Sequence, residues 1–261
     1  HPICDMCRDE KLPTTYLCGK NCPANPGAWE LHGVFHKELR KQRKMSDDGG
    51  VHQQRQRELA EREARLAALS GDAYHELVAK GTRYTSEEDW RRAGKAFREA
   101  IALRPDESVA YYNLGLILSN SGHHVEAAQR LLEATERSAV GSELWAQATA
   151  RAFLVLTSLM EKECSDVAKP EWWNGEGLKA LSARVVRAAP NDLAAHCMRA
   201  EVLSGDDDTW EVGPRSAAEL KKAATHYDRA AALSPAPAVT VQLFGAADLC
   251  RTRSQAQAEA T

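Results

Sequence analysis

Six residues near the N-terminus have the types and spacing to hold a metal ion. They read Cys4-x2-Cys7, Cys18-x3-Cys22 and His32-x3-His36. Thiolate sulfur and neutral imidazole nitrogen are the donors zinc prefers, four at a time in a tetrahedron. Two thiolates three apart can sit on one turn and share a metal, and two histidines four apart lie on one face of a helix. Residues 1–28 hold too few apolar groups to fold unaided, so ligation would supply the folding free energy. The expected cofactor is one Zn2+, with ligands that leave a second ion open. A site closed by four protein ligands has no position for water and is structural rather than hydrolytic.

Cysteine usage sets the context. Of seven cysteines, four crowd into residues 4–22, and Cys164, Cys197 and Cys250 are scattered. Clustering beside histidines favours metal over disulfides and a reducing compartment, cytoplasmic or nuclear. The first residue is His1, so a fragment or processed product is expected, with any targeting signal upstream out of sight. Hydrophobic residues make up 43% and charged residues 27%, a core-forming balance that excludes global disorder. No run of 18 apolar residues exists, so no membrane span is expected. The net charge of −3 argues against a polyanion binder as a whole. The charge is uneven, with 12 Lys+Arg against 10 Asp+Glu in residues 1–70 and 22 against 27 beyond.

The elements that would carry function beyond the cysteines form an internal repeat. A 34-residue ruler started at Tyr74 puts Leu77, Gly81, Tyr84, Ala93, Phe97, Ala100 and Pro105 at positions 4, 8, 11, 20, 24, 27 and 32. Restarted at Ser108, it gives Tyr111, Gly115, Leu118, Ala127, Leu131, Ala134 and Ala139, without a gap. This pattern resembles the tetratricopeptide repeat. The resemblance implies two antiparallel helices per unit, near 72–86/88–103 and 107–120/123–138. Small residues at positions 8 and 20 let paired helices approach, large ones at 4, 11 and 24 fill the space between units, and Pro at 32 follows the second helix.

Two degenerate units follow. One has a long first helix at 142–163 with Trp145 at position 4, and a partner near 176–189 that ends at Pro190. Between them an excess loop carries Pro170, Trp172, Trp173 and Gly175. The next starts at Leu193, with Ala200 and Leu203 at positions 8 and 11. After an insertion around Asp206-Asp207-Asp208 it resumes with Ala223, Tyr227, Ala230 and Pro235. Such insertions map to loops, and tolerance is the favoured explanation. A last helix from 238, with Phe244 and Leu249, is expected to cap the final apolar face.

The second half of the cysteine region resembles the end of a MYND-type zinc finger, through Tyr16-Leu17-Cys18, Cys22, Trp29, His32 and His36. His36 stands where that family has cysteine. The family's cross-brace uses eight ligands for two zincs, and six are found here. Two pairings stay open. Cys4 and Cys7 join Cys18 and Cys22 in one site, which is favoured, or they join His32 and His36.

The fold class expected is thus all-α, a tetratricopeptide-type superhelix of helical hairpins preceded by a small zinc-stabilised module. The domains read 1–45 for the zinc module, 46–70 for a charged helical connector, 71–237 for the array and 238–261 for the capping helix and tail. In the connector, Leu59, Ala60, Ala64, Leu66 and Leu69 form a weak apolar stripe that packs on the first repeat or leaves a spacer helix. Asp72 is the expected N-cap of the array's first helix.

No Gly-rich phosphate loop, GxSxG elbow or HExxH is present, so no enzyme is expected. Cys197 reads as a buried inert thiol, and His123-His124 as a turn after Gly122. The function expected is a protein-binding adaptor, with an extended peptide or helix in the groove lined by first helices. Its lining is Val78, Thr82, Val109, Tyr112, Asn113, Leu116, Glu143 and Gln147. The repeats' chaperone-binding branch grips C-terminal carboxylates with Lys at position 5 and Asn at 9 of the first unit, Asn at 6 of the second, and Lys at 2 and Arg at 6 of the third. Here those positions hold Val78, Thr82, Asn113, Glu143 and Gln147, with no cation among them, so acidic tails should be rejected. The rival reading is a transcription or chromatin co-regulator, in which the zinc module and the basic run Lys37, Arg40, Lys41, Arg43 and Lys44 meet a protein or nucleic acid. A solvated helix end explains that run as well, and is favoured.

Overall fold

A computed structural model describes residues 54–55, 57–62, 71–158, 169–205 and 215–259. Residues 53–261 make one compact unit. Among the described residues all regular structure is helical. The helices are α1 (Ala73–Ser86), α2 (Trp90–Leu103), α3 (Ser108–Asn120), α4 (His124–Arg137), α5 (Glu143–Ser158), α6 (Gly175–Ala188), α7 (Leu193–Ser204), α8 (Ala217–Leu233) and α9 (Pro237–Glu259). They pair in chain order, α1 with α2, α3 with α4, α5 with α6 and α7 with α8, while α9 packs on α8. The first two hairpins fall where the 34-residue ruler puts them.

Local chemistry explains the boundaries. Asp72, Asp89, Asn174 and Asp192 each accept a hydrogen bond from a backbone N–H in the turn they open. Ser216 and Glu219 form a reciprocal capping box at the start of α8. Pro105, Pro190 and Pro235 each stand two residues beyond the end of a second helix, where the missing N–H is not needed. Gly122 and Gly205 take positive φ, +80° and +65°, at helix ends.

The small positions of the repeat act as seats. A Cβ on Gly81 would stand 2.6 Å from the Phe97 ring, and one on Gly115 would stand 2.7 Å from Cγ of Leu131. Positions 8 and 24 are thus complementary within one hairpin. Position 24 fills space within a hairpin as well as the gap between units where it was expected. Phe97 and Leu131 are buried, as are Ala93, Ala100, Ala127 and Ala134. Phe97 and Leu131 also join a core with Leu114, Ile117 and Leu118 of α3 and Leu156 of α5, so the packing runs on across the unit boundary.

The third hairpin buries Trp145, Phe153, Leu178 and Val185. The stretch leading into α6 is built into it. The Trp173 ring packs on Phe153 at 5.6 Å and on Trp172 at 5.8 Å. At least this end of the insertion contributes core rather than being merely tolerated. In α9 the buried residues are Leu243, Ala247 and Cys250, against Ala223, Tyr227 and Ala230 of α8. Phe244 and Leu249 are 47% and 55% exposed. The expected capping pair therefore faces outward. Spacings of four and three keep Leu243, Ala247 and Cys250 on one stripe, whereas five residues carry Leu249 well round from Phe244.

The connector meets the array through residues 57–62. Ala60 is buried, and Arg57 donates from Nε to the Ser86 carbonyl at the end of α1 over 3.2 Å. Of the expected apolar stripe, Leu59 is 44% exposed, and Ala64, Leu66 and Leu69 lie outside the described residues.

Candidate functional site

The expected partner-binding residues lie on the first helices of the hairpins. Val78 and Thr82 are on α1. Val109, Tyr112, Asn113 and Leu116 are on α3, and Glu143 and Gln147 on α5. Neighbouring first helices touch, α1 with α3, α3 with α5 and α5 with α7. All eight residues are half-buried except Glu143, which is exposed. The hydroxyl of Thr82 donates to the Val78 carbonyl at 3.0 Å, a bond back onto its own helix. Gln147 donates from Nε2 to Glu143 Oε1 at 3.4 Å, so these two polar groups engage each other.

Leu116 opens onto a cleft of about 480 Å³ between α3, α5 and α7. Its other walls include Asn120 on α3, Arg151, Leu154 and Thr157 on α5, and Glu201 on α7. Arg151 lies close to the Tyr112 phenol, and its Nε is buried without a hydrogen-bond partner. Burial pushes the Tyr112 phenol above its usual range, with Arg151 acting against that and Asp192 adding to it. Leu116, Leu131, Leu154 and Val155 and one charge of each sign thus share the cleft, a lining suited to a segment that is apolar with a polar contact point.

Sequence reasoning missed Arg151, Leu154 and Glu201, because it compared only positions used by the carboxylate clamp. The signal was present. Arg151 follows Gln147 by four residues, one turn along the same face. The clamp positions hold no cation, but Arg151 puts one on the same face one turn further on. Cys197 on α7 is buried, and its thiol is pushed up to about 12 by burial and then by Glu201. A thiol so held is not a nucleophile near neutral pH. His123 is the N-cap of α4 and His124 its first residue, with His123 Nδ1 3.2 Å from Ser121 Oγ, in keeping with a turn.

Cys4, Cys7, Cys18, Cys22, His32 and His36 lie outside the described residues, as does the run 37–44. Among the described residues no group of three or more His, Cys, Asp or Glu could hold a metal ion, and no helix is long and apolar enough to cross a membrane.

No curated protein matches the chain. A tetratricopeptide repeat family model matches residues 96–129, from within α2, through α3, into α4. That stretch holds Phe97, Gly115 and Ala127, residues of the seats described above. The chain carries a tetratricopeptide repeat, and such repeats generally mediate protein–protein interaction.

Proposed function

We propose that this protein is a non-enzymatic scaffold that holds a peptide or helix of a partner protein on the face formed by its first helices. The observation that carries the reading is the cleft between α3, α5 and α7, with Leu116 and Leu154 as apolar walls and Arg151 carrying an unpartnered Nε–H. A buried donor without an acceptor costs about 1–3 kcal/mol, and a partner's backbone carbonyl oxygen would satisfy it. Val78, Thr82, Val109, Tyr112, Asn113, Glu143 and Gln147 extend the contact along α1, α3 and α5. The sequence supports an N-terminal module in which Cys4, Cys7, Cys18 and Cys22 hold one structural zinc. Quantitative affinity capture with the full chain tests the scaffold reading. Leu116→Asp and Arg151→Glu should lose the same partners, and Arg229→Glu, on α8, should keep them. Identical capture by all three would overturn it.

A further inference from the structure

The joint between the third and fourth hairpins contains two facing imidazoles. His196 on α7 and His226 on α8 place their Nδ1 atoms 3.0 Å apart, with ring centroids 5.2 Å apart. His196 is 6% exposed, and its Nε2 lies 3.0 Å from the Pro190 carbonyl oxygen.

That geometry fixes the protons. A carbonyl oxygen only accepts, so His196 Nε2 must carry a hydrogen. In the neutral ring its Nδ1 is then a lone pair, and the proton between the rings belongs to His226 Nδ1. A further proton has two places to go. On His196 Nδ1 it sets two N–H groups against each other unless His226 moves its own proton to Nε2, and either way the charge then sits on the almost wholly buried His196 ring. On His226 Nε2 it keeps the contact but places a charge in a half-buried ring.

Among the described residues, the charged groups around the pair are engaged with other partners. Arg199 of α7 faces the pair, its Nη1 bound to the Lys179 carbonyl at 2.7 Å and to Ser182 Oγ at 3.0 Å. Lys179 of α6 is engaged by Glu219 of α8 at 2.6 Å. Asp192 caps α7 through the Ala195 N–H at 2.8 Å. Arg229 of α8 donates to Asn191 Oδ1 at 2.9 Å, and Arg251 of α9 binds Asp228. Burial, then His196, then Arg199 hold His226 down to about 4, against an ordinary 6.5.

We propose that His196 and His226 form an acid-opened latch, which seats α8 and α9 on α7 at neutral pH and releases them when a proton is added to the pair. The sign follows from linkage. A histidine depressed in the folded state contributes stability that is complete above about 6.5 and is lost as pH falls toward 4. The latch is independent of the groove reading, since neither histidine lines the first-helix cleft.

Hydrogen exchange on the full chain between pH 7.5 and 5.0, corrected for intrinsic rates, tests it. Peptides of α8 and α9 should lose protection by on the order of tenfold at pH 5.0, while α1 to α4 keep theirs. In His226→Gln the amide can turn its oxygen toward a protonated His196, so this selective loss should disappear. Uniform loss along the array, no loss, or the same loss in His226→Gln would each overturn the latch. Should that variant fold poorly, imidazole titration by NMR in the wild type decides: the His226 ring must stay neutral above about pH 5.5, and an ordinary midpoint near 6.5 for it refutes the latch.

Discussion

Phe97 lies so close over Gly81 that a Cβ at position 81 would stand 2.6 Å from Cε1 of its ring. The same relationship joins Leu131 to Gly115. Gly94 is also helical and buried, but a Cβ there would meet its nearest neighbour, Arg98 Nη1, at 3.4 Å and carbon atoms only at 3.9 Å.

These distances separate three glycines that look alike in sequence. Gly81→Ala and Gly115→Ala should each destabilise by about 1–3 kcal/mol, because a rigid buried ring or a branched carbon must move. Gly94→Ala should stabilise by about 0.5–1 kcal/mol through helix propensity, with only a flexible guanidinium to displace. Urea denaturation of the full chain reads all three. Equal effects would show that the seats do not govern the packing.

Glu219 has two roles, as the partner of Lys179 at 2.6 Å and as half of the capping box with Ser216. The Lys179 hydrogen bond first, and the Ser216 backbone next, hold its carboxyl down to about 2 against an ordinary 4.5. Its contribution is therefore complete above about pH 4.5 and drains away as pH falls toward 2. Ser216→Ala should cost about 1 kcal/mol through the lost cap. Glu219→Gln should be clearly destabilising at pH 7 and much less so near pH 2.5. A deficit that does not shrink on acidification would remove the carboxylate from the account.

Zinc analysis under reducing conditions should give one ion per chain. Chelation should abolish structure in the N-terminal module and leave helical content from α1 to α9 in place. Cys18→Ser should lose metal affinity. A variant that retains it, while His32→Ala loses it, would move Cys4 and Cys7 to the histidine pairing.

The first-helix face should reject acidic C-terminal tails. Glu143 and Gln147 stand where the clamp has cations, and Arg151 shares its cleft with the acid Glu201. Loss of charge-assisted bonds costs on the order of a few kcal/mol, enough to drop micromolar binding below detection. Calorimetry of the full chain against an acidic tail peptide should show no low-micromolar binding, with measurable gain in Glu143→Lys. Tight binding that this change fails to improve would refute the assignment of the face.

The helices were legible because small and large residues recur at one period and because Asp72, Gly122 and the prolines mark the ends. Facing was harder. In α9 the buried stripe is Leu243, Ala247 and Cys250, and the bulkier Phe244 and Leu249 drew the eye instead. Arg151 could have been found by stepping one turn from Gln147. The His196–His226 contact could not, because thirty residues separate the two and neither lies in a local motif. Long-range pairs of this kind emerge only when α7 and α8 are laid side by side.

The core passes through the array in overlapping instalments. One cluster runs from α2 to α5, a second from α5 to α7 and a third from α7 to α9. Trp173 packs against the first and second, and Leu154 against the second and third. Under tension applied at α1 and α9, each cluster would bear the full load while touching only its neighbours. The array would then lengthen in discrete yields, a sawtooth on a force–extension trace, with Trp173 and Leu154 marking the places where one segment hands the load to the next.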